Sequence, residues 1–227
     1  GNSTISDANV GTKTVNTGGF TLNDQAGANA SSGGLASNYI LSGGTHQLVI
    51  NQRPLNATLA RQYDGTTASA GSTLSSFDAL QGGETLTMTG SGTAASANVA
   101  NGIAMSSNGN LALADGTGAA SNYSLNSTVI NIAKRVLTSS GSKTYDANTN
   151  ALAADITLGN LVSGEALNHS GTATISSANA GSYTISNLSG INIADGSGGA
   201  ASNYTLTGGT HNFTVNRRVV GVSGTRL

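Results

Sequence analysis

Apolar and polar residues alternate over short stretches of this chain, a pattern that predicts β-strands. The alternation is clearest in Ser182–Ile185, Gly190–Ile193 and Asn212–Val215. Because successive side chains of a strand point to opposite faces of a sheet, the apolar residues of these stretches should share one buried face. They are Tyr183, Ile185, Ile191, Ile193, Phe213 and Val215. Turn dipeptides such as Asn108-Gly109 separate the predicted strands.

One short motif, Ala-Ser-Asn-Tyr, occurs three times and gives the chain its period. Its tyrosines, Tyr39, Tyr123 and Tyr204, are 84 and 81 residues apart. Each copy leads into an alternating stretch that ends in basic or amide residues. This period is much longer than one coil of a solenoid and close to the size of one small β domain. We therefore predict a tandem array of repeats.

The motif copies divide the chain into four segments. Residues 1–53 correspond to the C-terminal part of a repeat, and residues 54–135 and 136–218 to two complete repeats. Residues 219–227 repeat the first strand of a further one. The first segment carries a small polar insertion, Gln25–Gly34, which we expect to be a surface loop.

No linker rich in proline or in glycine and serine separates the repeats. The last strand of one repeat continues through a basic ending into the first strand of the next. The apolar residues behind these endings should therefore pack into the new repeat at once. They are Leu55, Val136, Leu137, Val219 and Val220.

Composition agrees with an all-β array. Only 8% of the 227 residues are charged, while glycine accounts for 32, as in chains of short strands joined by tight turns. We count about seven strands per repeat, which ordinarily form a two-sheet sandwich. The prediction is a series of tandem immunoglobulin-like antiparallel β-sandwich repeats of about 82 residues in an elongated rod. A parallel β-solenoid is the alternative, which the lack of a spacing near 20 residues disfavours.

Charge and hydropathy restrict the partners. The net charge of −1 provides no field to attract nucleic acid, and no apolar stretch reaches the roughly 20 residues of a membrane span. Nucleic-acid binding and membrane insertion are therefore not expected. The absence of cysteine fits a large exported bacterial protein. No signal peptide is visible, so we expect a mature exported segment or an internal excerpt of an extracellular or cell-surface protein.

A second motif lies near the start of each complete repeat. Tyr63–Gly65 corresponds to Tyr145–Ala147, 82 residues later. An Asn-x-Gly follows in mid-repeat, at Asn9–Gly11 and Asn179–Gly181, and a basic pair closes the repeat. Together with Asn-Tyr-x-Leu, this series resembles the YDG-type repeats. These belong with the mostly-β, glycine-rich (MBG-like) repeats of large bacterial secreted or surface adhesins.

Two positions depart from the family pattern. Ala147 replaces the third residue of the naming motif, and Ala100 replaces the mid-repeat glycine. Because glycine serves where the backbone needs a positive φ, we expect both turns to be altered.

The resemblance implies a structural role without catalysis. Such repeats act as stalks or spacers in adhesins that mediate cell adhesion, aggregation or biofilm attachment, and their partners are neighbouring repeats. The alternative is that the repeats themselves bind a glycan or matrix polymer, which would require a recurring exposed aromatic or carboxylate cluster. Few aromatic residues are present, and most fall on core-facing positions, so we favour the spacer.

The landmark residues have a structural and a functional interpretation. Tyr39, Tyr123 and Tyr204 could be stacking platforms for a ligand. A tyrosine at the start of a late strand, with its hydroxyl bonded to nearby backbone, is however a common device of β-sandwiches, similar to the tyrosine corner. We predict the structural role for these tyrosines and for the motif residues Tyr63 and Tyr145.

The aspartates also allow two interpretations. Asp64, Asp146, Asp115 and Asp195 could bind calcium, but calcium requires about 6 to 8 oxygen ligands with several carboxylates close together, and no Asp-x-Asp loop is present. Asx turns are the better explanation. We predict no cofactor.

Neither histidines nor acids form a catalytic pattern. His46 and His211 occupy matching places, where the middle repeat has Val129, and His169 stands alone; strand-surface positions are expected for them. Glu84 and Glu165 are equivalent turn residues, one acid per repeat. With no Gly-x-Ser-x-Gly motif and no recurring base, we predict that the protein is not an enzyme.

The first segment should leave apolar residues poorly covered, since half a sandwich cannot bury its own face. These residues are Ile5, Val15, Phe20, Leu22, Leu41 and Ile50. We expect residues 219–227 of one molecule to add as a strand to this segment of the next, giving head-to-tail self-association.

Overall fold

The computed structural model describes residues 2–24 and 35–224, and their regular structure consists of strands and short 3₁₀ turns. The predicted all-β class is confirmed, and the sheets curl into half-barrels. The predicted insertion at Gln25–Gly34 and the last three residues, 225–227, lie outside the described residues.

The strands are short, as the turn-rich sequence predicts. The first ten are β1 (Thr4–Ile5), β2 (Gly11–Asn16), β3 (Gln47–Ile50), β4 (Arg53–Gln62), β5 (Ala68–Ala70), β6 (Leu74–Phe77), β7 (Leu86–Thr89), β8 (Ser91–Ala94), β9 (Ala100–Ser107) and β10 (Ala112–Asp115). The second ten are β11 (Tyr123–Ala133), β12 (Arg135–Val136), β13 (Thr138–Thr144), β14 (Asn150–Leu152), β15 (Ile156–Gly159), β16 (Leu167–Ile175), β17 (Gly181–Asn187), β18 (Ile191–Asp195), β19 (Tyr204–Thr205) and β20 (His211–Asn216). The 3₁₀ turns are Thr17–Gly19, Ala36–Asn38, Gly71–Thr73, Ala120–Asn122, Ala153–Asp155 and Ala201–Asn203.

Two compact units share these strands, and their limits do not follow the repeats. Unit 1 comprises Gly1–Asn56, Phe77–Thr89 and Ala112–Ser127. Unit 2 comprises Ala57–Ser76, Gly90–Leu111 and Thr128–Leu227. Each unit thus combines residues from successive repeats.

Unit 1 contains a three-stranded antiparallel sheet in the order β1-β2-β3 and a two-stranded sheet formed by β7 and β10. Its core is small: Leu55, Leu86 and Tyr123 are buried, with Phe77 and Leu80 packed against them. Few apolar side chains close this unit, so each of them carries a large share of its stability.

Unit 2 holds the largest sheet, in the order β14-β16-β17-β20-β13-β15, with β18 paired to β16. β13 and β20, the first and last long strands of the third repeat, are parallel, with Gly141 opposite Phe213. β12 and β19 are also parallel. The prediction of antiparallel pairing throughout is therefore corrected for these pairs. Other strand pairs are antiparallel, as in β16 with β17 and β17 with β20, which excludes the parallel solenoid.

The middle repeat has a corresponding six-stranded sheet, in the order β5-β8-β9-β11-β4-β6. The buried residues of β4 alternate with more exposed ones: Leu55, Ala57 and Leu59 are each at most 1% exposed. This is the period of two that a half-buried strand requires.

The main core of unit 2 lies on the face that alternation predicted. Ile185, Ile191, Phe213 and Val215 are buried there, and Tyr183 packs against them. Ile193 is only half-buried. The cluster also contains Ile156, Ile175 and three alanines, Ala151, Ala153 and Ala173, whose small side chains allow the neighbouring strands to approach.

The apolar residues that follow the basic end of each repeat differ in burial. Leu55 and Leu137 are fully buried, as predicted. Val219 and Val220, in contrast, are 93% and 80% exposed, so the prediction that they pack at once is wrong. They belong to no strand and have no sheet face to cover.

Apolar residues of the first segment are poorly covered, as the sequence predicted. Phe20, Leu22 and Leu41 are exposed. Ile5, Val15 and Ile50 are half-buried. Among the described residues, no helix is long and apolar enough to cross a membrane.

Candidate functional site

Two tyrosines share one carboxylate in unit 2. The Tyr63 hydroxyl donates to Oε1 of Glu165 and the Tyr204 hydroxyl to Oε2, both at 2.6 Å. The two rings meet edge to face, with centroids 5.5 Å apart and planes at 79°. Tyr63 follows β4 of the middle repeat directly, whereas Glu165 and Tyr204 belong to the third repeat. The cluster therefore joins residues of successive repeats.

Burial and charge keep these hydroxyls protonated. Tyr63 and Tyr204 are 5% and 1% exposed. Burial, together with the bond to Glu165, raises the pKa of Tyr204 to about 12, and the same two causes raise the pKa of Tyr63. The Tyr204 hydroxyl also accepts from the Val162 amide at 3.1 Å, so it both donates and accepts. A phenol used in this way is a structural anchor.

Unit 1 repeats the arrangement with Tyr123 and Glu84. The Tyr123 hydroxyl donates to Glu84 and accepts from the Gln81 amide at 3.2 Å. The bond to Glu84, and then burial, raises the pKa of Tyr123. In both units the glutamate stands two residues before a strand and the tyrosine begins another strand, 39 residues later.

These contacts refine the sequence interpretation of the tyrosines. Tyr123 and Tyr204 are buried, as predicted. Their hydroxyls, however, bond an amide 42 residues upstream, so the comparison with a tyrosine corner and its nearby backbone is wrong. Tyr39 differs from both, because its ring is 63% exposed. The role of Glu84 and Glu165 was missed, although the shared spacing of 39 residues could have indicated it.

The asparagine before each buried tyrosine binds the mid-repeat segment of the preceding repeat. In unit 2, Asn203 accepts from the Val99 amide and donates to the Asn98 side chain, both at 2.9 Å. In unit 1, Asn122 makes the same two bonds, at 2.9 Å, with Val10 and Asn9. The Asn-Tyr pair of one repeat therefore anchors two parts of its neighbour.

An aspartate caps the 3₁₀ turn in front of each motif tyrosine. Asp115 accepts from the Ala120 amide and Asp195 from the Ala201 amide, both at 2.7 Å. Asp24 does the same for the Ala36 amide at 2.6 Å. The cap satisfies an amide that the short turn leaves free, which explains the recurrence of this aspartate.

Asp64 and Asp146 form Asx turns, as predicted. Asp64 accepts from the Thr66 amide at 2.9 Å and Asp146 from the Asn148 amide at 3.2 Å. Each also pairs with a cation three residues upstream, Arg61 or Lys143. Burial raises the pKa of Asp64, but the bonds from Thr66 and Arg61 outweigh it, so that the pKa is lowered; Lys143 lowers the pKa of Asp146.

The third residue of the motif occupies a left-handed backbone conformation. Gly65 has φ +79°, and a Cβ added there would lie 2.8 Å from Cγ1 of Val162. Ala147 also has a positive φ, +64°. The prediction that this turn is altered is therefore wrong, because the alanine keeps the same left-handed conformation. At mid-repeat the backbone does differ. Ala100 is not among the described residues with positive φ, whereas Gly11 has φ +131°.

Two histidines lie inside the fold. His211 is only 9% exposed; its Nδ1 bonds the Ser139 hydroxyl at 2.9 Å, and its Nε2 donates to the Leu206 carbonyl at 2.9 Å. The strand-surface prediction is therefore wrong for His211. Nε2 of the half-buried His169 donates to two carbonyls, of Ala153 and Ile156. Such bonds hold the two rings in place.

The structure also corrects which residue of the middle repeat is equivalent to His211. Burial alternates through His211, Phe213 and Val215, and in the middle repeat through Thr128, Ile130 and Ile132. Thr128, and not Val129, therefore occupies the place of His211. Within residues 2–24 and 35–224, no three His, Cys, Asp or Glu side chains gather as a metal site requires.

Comparison with known protein families matches residues 51–130 and 132–211 to the YDG domain, in tandem. The chain belongs to the YDG domain family. The two matches together span more than half of the chain. Neither the curated proteins nor the solved structures compared with the chain gave a match.

The naming residues of the YDG repeat can now be assigned from the structure. In the first matched repeat, Tyr63 is the buried anchor, Asp64 forms the Asx turn, and Gly65 allows the left-handed conformation beside Val162. In the second, Tyr145 is 38% exposed. At Tyr63 the motif packs against the glutamate and the tyrosine of the next repeat, Glu165 and Tyr204.

Proposed function

We propose that the YDG repeats of this chain are spacer units of a large bacterial extracellular adhesin or surface fibre. In this role they separate a binding region from the cell and contribute indirectly to adhesion, aggregation or biofilm attachment. No catalytic activity and no bound cofactor belong to the proposal. The proposal includes a secreted, cell-surface location, which the cysteine-free composition supports.

The sharing of Glu165 by two tyrosines of successive repeats carries the proposal. Tyr63 and Tyr204 are buried and bond both carboxylate oxygens. A ligand site would present recurring aromatic and acidic groups to solvent. Here those groups pack successive repeats together. An array that must resist force, or keep two regions a fixed distance apart, requires such packing.

A second function is favoured by the aromatic residues that the fold leaves exposed. Tyr39 is 63% exposed and Tyr145 38% exposed. Exposed aromatic side chains are frequent anchors in binding surfaces. The alternative is therefore that the repeats themselves bind a glycan or a matrix polymer.

A binding panel separates the two functions. The full chain and a Tyr39→Ala, Tyr145→Ala double variant would be applied to a glycan array and to immobilised matrix polymers. The spacer function predicts no saturable signal for either protein. A saturable signal that disappears in the double variant would reject the spacer and establish the binding module.

Mechanical stretching tests the spacer function directly. Pulling the chain between its ends should give unfolding steps, and a repeat of about 82 residues would reach a length of roughly 270–300 Å when fully extended. Tyr204→Phe should lower the unfolding force, because the bond to Glu165 is lost. Smooth extension without steps would contradict a load-bearing role.

A further inference from the structure

A cavity in unit 1 lies beside Glu84 and Tyr123. Its volume is about 310 Å³. Asn9, Asn51 and Arg53 contribute to its walls. This volume lies at the lower end of the range of small-ligand pockets, roughly 300–1,000 Å³, so the cavity is suited to a single side chain or a small segment.

Unit 2 has the same walls, and there they surround Tyr63. The Tyr63 amide donates to the Ala133 carbonyl at 2.9 Å, and its hydroxyl donates to Glu165. Its ring lies against Tyr204. Arg135 reaches the Tyr63 carbonyl at 3.5 Å. Tyr63 thus fills a pocket made by the end of its own repeat and by the next repeat.

Each wall of the filled pocket has a counterpart around the cavity. By position in the repeat, Asn51 corresponds to Ala133 and Arg53 to Arg135. Glu84 and Tyr123 correspond to Glu165 and Tyr204, and they make the same bond to each other. Asn122 holds Asn9 as Asn203 holds Asn98. The residues around the two places therefore correspond in position, and the Glu-Tyr and Asn-Asn bonds recur in both.

The Glu84 carboxylate indicates which chemical group fits the cavity. Glu165 accepts one tyrosine on each of its two oxygens. Glu84 accepts Tyr123 on Oε2, and no bond to its Oε1 is formed by any other described residue. A carboxylate oxygen in a partly enclosed site gains most from a hydrogen-bond donor. The matching donor is a phenol hydroxyl.

We propose that this cavity binds the tyrosine of a Tyr-Asp-Gly segment from another YDG repeat. The hydroxyl donates to Oε1 of Glu84, and the tyrosine amide donates to the Asn51 carbonyl. A glycine fits the filled pocket, where Gly65 passes so close to Val162 that a Cβ would lie 2.8 Å from its Cγ1. Gln81 occupies the place of Val162 in unit 1. The inference rests on the geometry of the pockets and is independent of the spacer function.

A peptide with the sequence of residues 60–67 tests the proposal. It would be titrated to millimolar concentration into the full chain, with amide chemical shifts as the readout. Shifts should change at Asn9, Asn51 and Glu84 and stay constant around Glu165, where Tyr63 already fills the pocket. Replacing the peptide tyrosine with phenylalanine should weaken binding roughly tenfold or more, because a bond to a charged acceptor is lost.

A tethered version covers the case of weak affinity. The same segment, joined to the N-terminus by a flexible linker, reaches an effective concentration of the order of millimolar. Its tyrosine form should slow hydrogen exchange at Tyr123 relative to its phenylalanine form.

In the chain, Glu84→Gln should reduce peptide binding, whereas Thr87→Ala, an exposed substitution on β7, should not. Equal binding of tyrosine and phenylalanine peptides, or shifts that map elsewhere, would overturn the proposal. So would the absence of any effect of the tethered segment.

Discussion

At the scale of single residues, the stability of these repeats depends on a few polar groups that bond one another. Glu165 is held by two phenols, and Asn203 bonds both a backbone amide and a second amide side chain. In a chain with few large apolar residues, such charge-assisted and bidentate bonds specify the packing that a larger core would otherwise fix. The loss of one partner leaves the others buried without a bond.

Removal of the Tyr204 ring should be costly. Tyr204→Ala should lower the free energy of unfolding by roughly 3 kcal/mol or more, through a cavity and unsatisfied partners at Glu165 and Val162. Tyr204→Phe should cost about 1–3 kcal/mol, since only the hydroxyl is lost. Tyr39→Ala, at a ring that is 63% exposed, is the matched control, with an expected change of about 0.5 kcal/mol or less. Urea unfolding measures all three; a loss below about 1 kcal/mol for Tyr204→Ala would mean that the ring contributes little.

Alkaline pH should weaken the fold through the same residue. The pKa of Tyr204 is raised in the folded chain from 10.0 to about 12. Its stabilising effect is therefore complete below pH 10 and is lost as the pH rises toward 12. The urea midpoint should fall over this range, with a smaller fall in Tyr204→Phe. An equal fall in both proteins would assign the effect to other groups.

At the scale of elements, short turns define the repeat. Each Ala-Ser-Asn turn is capped by an aspartate, and each Tyr-Asp turn is closed by its own carboxylate. The left-handed position in the Tyr-Asp turn is taken by Gly65 in one repeat and by Ala147 in the next. Alanine in this conformation is strained by about 1–2 kcal/mol, yet the turn is retained because the surrounding bonds fix it.

Relief of this strain should stabilise the chain. Ala147→Gly should raise the free energy of unfolding by up to about 1 kcal/mol, since the relief of about 1–2 kcal/mol exceeds the entropic cost of glycine. Gly65→Ala should be destabilising, because it adds the contact with Val162 to the strain. Ala104→Gly, on the exposed side of β9, is the control and should cost about 0.5–1 kcal/mol. If Ala147→Gly destabilises as much as Ala104→Gly does, the left-handed conformation contributes no strain.

At the scale of the whole molecule, exposed apolar residues occur toward both ends of the described chain. In the first segment they include Phe20, Leu22 and Leu41, and after the third repeat Val219, Val220 and Val222. Val219, Val220 and Val222 lie in no strand, so their backbone groups can pair with another sheet.

Strand addition between molecules should follow from this exposure. Residues 219–227 of one molecule are expected to add to the first segment of another, a head-to-tail contact that does not close and gives chains whose length depends on concentration. Sedimentation of the full chain should show this growth, and deletion of residues 219–227 should abolish it. A full chain that remains monomeric at high concentration would exclude strand donation.

The sequence by itself determined the period, the all-β class and most of the residues on the buried face of unit 2, because these depend on local alternation and on repetition. It also indicated that Tyr123 and Tyr204 are buried and that Asp64 and Asp146 form turns. Only the tertiary structure decided that Tyr63 and Tyr204 share Glu165, that Asn203 binds Asn98, 105 residues away, and that β13 and β20 are parallel. Local patterns specify how each residue faces its own sheet. Which carboxylate receives a hydroxyl depends on which distant turns are brought together, and that is fixed only when the strands of successive repeats have paired.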